Sequence, residues 1–385
     1  MVSAEYEVIL FLNNKPIGDA RPLAQNLEWT KRRTKMGADE IDFTLNDKLF
    51  AEWCIERKTT IQDMLKPMAL ECRVIRNGTP VIGGFLATMP AYSPKGASAD
   101  LAMKFDGYLN MLDGVYIYDE STKLPLGTVT NSMTVVINQL IEMANTRSSN
   151  AGKGYGLIYL GGSSPMATIT NTFDNYKTVK GFICDRCDNT TGAGPFDVDF
   201  IAYDSTARPY KIWKQSDFGE TITDWTAMYP ASVDYPSAVS INASEVSGFA
   251  SSVIAIGSGE VSSDSTKNTA IKSLVQNSTK VAEYGYFEKM IQESSISQQT
   301  TLTQKANTEL YFASNPTWKP EITLTGRMIA PIPSGSQKIW IGDIITIQNN
   351  EDLTGQTNGK FRVNELNVKV SNSGGETITP TLEMA

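Results

Sequence analysis

Cys184-Asp185-Arg186-Cys187 is the one spacing in this sequence that invites metal or redox chemistry. A structural zinc site needs four ligands, usually Cys and His. The chain has no histidine, and its other two cysteines, Cys54 and Cys72, fall in a separate expected unit, so carboxylates would have to complete the set. A redox Cys-x-x-Cys belongs at a helix N-terminus, where the dipole lowers the thiol pKa. Here the pair comes late in a helix expected to begin near Asn175. Incidental packing is the plain reading, with metal binding and redox exchange as its alternatives. The missing histidine also removes Ser-His-Asp and Cys-His nucleophile activation and every His-ligated metal.

Asp197 and Asp199 share one face of an expected strand, about 7 Å apart, and two carboxylates are all that glycoside hydrolysis needs. Their alternation with Val198 and Phe200 is equally that of any half-exposed strand. Gly152-Lys153-Gly154-Tyr155-Gly156 and Gly257-Ser258-Gly259 read as turns, because no Gly-Lys is followed by Ser or Thr and neither opens a dinucleotide-binding helix. No Gly-x-Ser-x-Gly and no Ser-x-x-Lys offers a serine nucleophile. Tyr284, Tyr286 and Trp318 have the chemistry to stack on sugars, although burial in a core or interface is the commoner fate of such rings. No residue is therefore assigned a catalytic, cofactor-binding or metal role, and neither an enzyme nor a cofactor is expected.

The elements that position these residues follow from composition and periodicity. The 385 residues suffice for several domains, and 41% hydrophobic with 20% charged residues is ordinary for a folded protein. A formal charge of −8 argues against tight sequence-independent nucleic-acid binding. The N-terminus carries Glu5 and Glu7 before a short apolar run, and no run approaches the ~18 residues of a membrane span. A soluble chain without a secretory leader, made in a reducing cytoplasm, is expected.

Period-2 alternation predicts strands at 6–12, 25–31 and 40–45, and a short helix at 60–66 stops at Pro67. A hairpin of 70–76 and 79–86 turns at Asn77-Gly78, a dipeptide suited to positive φ. Lys31-Arg32-Arg33-Thr34-Lys35 reads as a solvated edge that discourages strand pairing, with a docking patch as the alternative. From about Val115 the period changes. Ser132 caps a helix to Thr146 with Val136, Leu140 and Met143 on one stripe, a strand follows at 155–160, and a second helix from Asp174 or Asn175 carries Val179, Phe182 and Ile183. Strands return at 196–202, 210–213, 238–242 and 252–256, followed by a polar connection over 258–278. The aromatic turn Glu283-Tyr284-Gly285-Tyr286-Phe287-Glu288 leads to a helix at 299–314 with Leu302, Ala306 and Leu310 four residues apart, stopped by Pro316. Closing strands are expected at 321–328, 339–347 with a turn at Gly342-Asp343, 360–365 and 377–382.

The order of that last stretch (aromatic turn, helix with a late Leu310, Pro316, strand, loop with Pro331 and Pro333, then Gly342-Asp343 and an apolar strand) resembles the C-terminal part of phage tail hub proteins. That family includes the amino-terminal structural module of tail-associated lysins and the baseplate hubs of contractile tails. A hairpin carrying Gly83-Gly84-Phe85, and a strand ending in Gly107-Tyr108-Leu109 with Leu112 three residues on, are similar to the family's first barrel. The resemblance covers most of the chain. It implies a mainly β fold with α/β and helical insertions and two tail-tube-like antiparallel β-barrels. The expected division is 1–113 for the first barrel, 114–193 for a small α/β domain, 194–262 with 316–385 for the second barrel, and 263–315 for a helical insertion.

The resemblance further implies a structural virion protein at the tail tip or baseplate, assembled in the bacterial host cytoplasm. It would form a homotrimeric ring that ends the tail tube and provides a conduit for genome delivery. Implied partners are the distal tail protein, tail tube subunits, the tape-measure protein, and central fibre, spike or receptor-binding proteins. Phage DNA would pass through the lumen without specific binding, which an acidic chain suits by like-charge repulsion. Any lytic activity would belong to a separate protein, since the sequence stops right after the closing strands. The alternative is a β-rich carbohydrate-binding or host-adhesion protein built on aromatic platforms.

Overall fold

The computed structural model describes residues 4–95, 98–150, 155–162, 166–173, 176–187, 195–201, 207–229, 237–245, 249–259, 269–294, 296–314, 318–325, 330–331, 338–351, 358–372 and 375–385. Its first sheet is built as the alternation dictates. Strand Tyr6–Leu12 buries Tyr6, Val8 and Leu10 on one face. It turns at Asn13-Asn14, at φ 51° and 66°, into Lys15–Asp19. Its other side pairs with Leu70–Arg76, which joins Thr79–Leu86 through Asn77 and Gly78 at φ 49° and 76°. Sheet order then runs through Ser98–Gly107 and Glu40–Asn46 to Gln25–Arg32. Helix Asp47–Glu56, unassigned by periodicity, covers this sheet with Phe50, Trp53 and Cys54, and Asn46 caps it by accepting from the Leu49 N–H at 3.2 Å.

The long strand Gly359–Val370 welds this sheet to the C-terminal strands. Its later residues pair with Gln25–Arg32, in register from Leu27 opposite Val370 to Arg32 opposite Glu365. Its earlier residues pair with Ile344–Asn349, and Glu376–Met384 lies along nearly its whole length. From there the hydrogen bonds run through Trp318–Thr325, Ser237–Glu245 and Thr221–Tyr229 back to Ile344–Asn349, a closed circuit of six strands. Two tail-tube-like antiparallel β-barrels were the expectation. Among the described residues the N-terminal sheet does not close, and Thr221–Tyr229 pairs in parallel with both its neighbours. The long crossover that parallel pairing needs is present toward Ile344–Asn349, more than a hundred residues on with the inserted unit between, whereas the parallel contact with Ser237–Glu245 is one bridge, Met228 with Ser237. One apolar core runs from Val8 to Leu382 through both parts, and the Trp29 and Trp340 rings, 6.5 Å apart, belong to it.

A second body has its own core. Helices Met133–Asn150 and Val179–Cys187 pack on a three-stranded sheet ordered Leu157–Gly162, Arg208–Lys214, Phe196–Phe200. The hairpin of the last two strands pairs as expected, Phe196 opposite Lys214 and Phe200 opposite Tyr210. It belongs here and not with the C-terminal strands, because Tyr210 and Ile212 need the apolar faces of Phe182 and Leu140. The inserted unit likewise starts earlier than 263. Strand Ser252–Ile256 is its centre, flanked by Lys272–Gln276 and Glu288–Gln292, and helix Gln299–Ser314 lays Leu302, Ala306 and Leu310 on Val253 and Ala255. No helix among the described residues is long and apolar enough to cross a membrane.

Candidate functional site

The basic run Lys31 to Lys35 lies where the two bodies meet. It is not the solvated edge expected from sequence, for Lys31, Arg33 and Thr34 are buried. Strand Phe196–Phe200 of the second body lies over them and supplies the counter-charges. Arg33 Nη2 and Nε donate to Asp197 Oδ2 at 2.7 and 3.1 Å, and Nη1 donates to Asn364 Oδ1 at 2.9 Å. The Thr34 N–H donates to Asp197 Oδ1 at 3.1 Å, and Thr34 Oγ1 accepts from the Val198 N–H at 2.7 Å. Lys31 Nζ reaches Asp39 at 2.9 Å, Asp199 at 3.1 Å and the Phe200 carbonyl at 2.7 Å. Burial by itself would lower the Lys31 pKa. The carboxylates of Asp199 and Asp39 outweigh it and hold the ammonium above the ordinary lysine value.

Asp197 and Asp199 therefore share a face, as their spacing suggested, but that face is covered: Asp197 pairs with Arg33, and Asp199 shares Lys31 with Asp39. A second knot reverses the polarity. Glu71 of the first sheet accepts from Arg73 Nε at 2.6 Å, from the Tyr108 hydroxyl at 2.7 Å and from Arg208 Nη2 of the second body at 2.5 Å. Arg208 also donates to Asn14 Oδ1 and to the Tyr155 carbonyl, each at 2.6 Å, with its guanidinium 4.7 Å from the centre of the Phe85 ring. Burial first, then the Glu71 charge, push the Tyr108 phenol well above its usual pKa. A third link ties the chain's beginning to its end. Arg76 grips Glu376 with contacts of 2.6 and 2.7 Å, and the Tyr6 hydroxyl donates to the same carboxylate.

Buried ion pairs contribute little net stability, but losing one partner strands an uncompensated charge. This seam, with cations and an anion on one body facing their opposites on the other, is therefore suited to fixing one relative orientation. Periodicity missed Glu71, Asp39 and Arg208. The signal was present in Leu70–Arg76, where charges at 71, 73 and 76 interrupt an apolar strand, but a half-exposed strand shows the same alternation. Only burial on both faces turns those charges into required pairs.

Cys184 and Cys187 sit in the last turns of helix Val179–Cys187, as expected, and all four cysteines are free thiols. Cys184 Sγ lies 3.7 Å from the Thr34 carbonyl and Cys187 Sγ donates to the Cys184 carbonyl at 3.0 Å. Burial raises the Cys184 pKa, the opposite of what a redox thiolate needs. Among the described residues no group of three or more Cys, Asp or Glu side chains is arranged to hold a metal. The Gly257 and Ser258 amides bond to the Ile271 and Ile296 carbonyls, both at 2.8 Å, which leaves neither for a phosphate. Residues 152–154 lie outside the described residues, as does the side chain of Trp318. Tyr284 and Tyr286 are exposed on the inserted unit, Tyr284 edge-on to Phe249 at 5.3 Å.

Over 99% of its length the chain superposes on 98% of the 43 kDa tail protein of prophage MuSo2 from Shewanella oneidensis, with a TM-score of 0.60 and 13% identity. The chain has the fold of phage tail proteins. The tail-protein fold is matched again by a tail protein from Neisseria meningitidis MC58, with a TM-score of 0.57 and 12% identity over 98% of this chain and 96% of that one. Prophage tail protein gp18 from Listeria monocytogenes EGD-e gives a TM-score of 0.51 and 10% identity over 97% and 94%. No family model and no curated protein matches the sequence. The tail-protein fold is thus carried here by strand order and core pattern, with few residues shared.

Proposed function

We propose that the chain is a structural subunit of a phage tail, acting at the distal end as a tail-tip or baseplate hub. The observation that carries this reading is the end-to-end superposition on tail proteins, which spans 97–99% of this chain and 94–98% of theirs. Three copies form a ring. Residues 1–113 act as one tube-like β unit and the strands within 221–245 and 318–384 as a second, so that six such units in the ring continue the tail tube around a conduit for the genome. The second body, with its hairpin of Phe196–Phe200 and Arg208–Lys214, and the inserted unit from Ser252 to Ser314 stand as the attached parts. What supports the ring is the weld at Gly359–Val370, which makes two β units one body, and the open edges that Lys15–Asp19 and Ala91–Lys95 present among the described residues, which neighbouring copies would cover. The partners are the distal tail protein and tail tube subunits above, the tape-measure protein within, and a central fibre, spike or receptor-binding protein below. The role is structural and not enzymatic, in virions assembled in the host cytoplasm.

The test is native mass across a concentration series, with and without tail tube subunits, together with negative-stain imaging. A species of three chain masses that shows a three-fold ring with a central hole is the expected result. A strict monomer under every condition would overturn the reading.

A further inference from the structure

The second body carries a cluster of tyrosines that the seam does not use. Along 115–118 Val115 and Ile117 are buried while Tyr116 is 51% exposed, and Tyr118 shares its side of the chain. Tyr116, Tyr118, Tyr176 and Lys123 line a shallow, open and almost wholly apolar depression. Tyr176 is 55% exposed and Leu124 is 61% exposed. Exposed tyrosine faces around one depression offer a stacking surface.

The frame beneath it is rigid. Arg147 donates to the Tyr116 carbonyl at 2.5 Å and the Tyr118 carbonyl at 2.8 Å, pairs with Glu120 at 2.7 Å, and lays its guanidinium 3.8 Å from the centre of the Tyr118 ring. Asp119 Oδ1 accepts from the Ser121 and Thr122 amides at 2.9 and 2.8 Å, and the Tyr176 hydroxyl donates to the Lys123 carbonyl at 2.7 Å. Lys123 is held at φ 59°, a conformation that side chains other than Gly and Asn seldom adopt. Glu120 is occupied by Arg147, and no carboxylate among the described residues pairs with the Lys123 ammonium, 5.5 Å from the Tyr118 ring.

These features select a ligand. Tyrosine faces take a flat C–H surface, an aromatic ring or a cation. The Lys123 ammonium repels a cation and attracts an anion at about the same reach. A polyproline helix needs a run of grooves along its length, and among the described residues these side chains line one depression. We propose that the depression binds an anionic pyranose, stacked on Tyr116 and Tyr176, with its carboxylate or phosphate on Lys123. The site is independent of the tail-hub reading, so failure of one leaves the other standing.

The full chain is titrated by saturation-transfer NMR with trigalacturonate, glucose 6-phosphate, neutral maltotriose and phosphocholine. Saturable binding of trigalacturonate or glucose 6-phosphate, at least about tenfold tighter than maltotriose, is expected, and whichever of the two binds names the anionic group. Tyr116→Ala and Tyr176→Ala, both at exposed rings, should weaken it about tenfold or more. Lys123→Gly suits the positive φ and should remove the preference for the anion while leaving weak maltotriose binding. The proposal is overturned if none of the sugars saturates, if phosphocholine binds best through its trimethylammonium group, or if the tyrosine variants bind like the parent.

Discussion

Arg33 and Asp197 are 164 residues apart in sequence, and a two-pronged contact of 2.7 and 3.1 Å joins them with almost no access to water. Asp197→Ala leaves a guanidinium buried without its counter-charge, an expected loss of about 3–5 kcal/mol. The double variant Arg33→Met with Asp197→Leu removes both charges and should recover most of that loss. Urea denaturation of the parent, the single and the double variant measures the difference. A single variant within about 1 kcal/mol of the parent would mean that water reaches the pair.

Glu71 serves Arg73, Arg208 and Tyr108 at once, whereas Glu376 serves Arg76 and Tyr6 nearer the surface. Glu71→Gln is therefore expected to cost on the order of 3 kcal/mol or more, and Glu376→Gln only about 1–2 kcal/mol. Thermal unfolding of the two variants side by side checks the ranking. Equal shifts would place both carboxylates in equivalent surroundings.

Gly219 sits at φ 84°, and a β-carbon there would fall 2.1 Å from the carbonyl carbon of Gly342, itself at φ 87°. The turn at Gly342 is held by Asp343, which accepts from the Trp340 N–H at 2.8 Å and the Glu220 N–H at 2.9 Å. Neither backbone can move without breaking those bonds. Gly219→Ala should cost well over ~1 kcal/mol, while Gly37→Ala, at φ 97° with open space around it, pays only for the backbone conformation. Chemical denaturation of the two alanine variants tells them apart.

Asp119 has its pKa lowered to about 2 by the Ser121 hydroxyl and by the Thr122 amide and hydroxyl. The folded value lies below the unfolded one, so the turn's contribution is complete above pH ~4 and fades as pH falls toward the folded value. The Ser121 and Thr122 amide resonances should follow a midpoint near 2, and Asp119→Asn should abolish that titration. A midpoint near the ordinary aspartate value would mean that the turn does not form in solution.

Much of this architecture could be read in the sequence wherever local chemistry and final environment agree. Asn77-Gly78 turns where its φ preferences require, Leu302, Ala306 and Leu310 face one core, and Gly342-Asp343 interrupts an apolar run because a turn is there. Reading failed where partners come from far away. The charges of Lys31 and Arg33 look like a surface edge until Asp197 and Asp199, some 165 residues on, are seen to cover them. The placement of Phe196–Phe200 failed for the same reason. Its hairpin is local, but the sheet that adopts it is chosen by apolar faces elsewhere. The tyrosine depression escaped notice because Tyr116 and Tyr118 lie two apart in a stretch with no regular element, and Tyr176 joins them only through folding.

The shared strand Gly359–Val370 has a consequence for how the molecule is made. Arg32 finds Glu365 only after the 333 residues that follow it have been made. At ~5–20 residues per second the Gln25–Arg32 edge waits roughly 20–70 s without its neighbour. Until Asp197 and Asp199 are made, about midway through that interval, Lys31 and Arg33 lack their seam partners on the second body, and their charge keeps the unpaired edge from joining another nascent chain. The same residues thus guard the newborn protein before they lock the finished one.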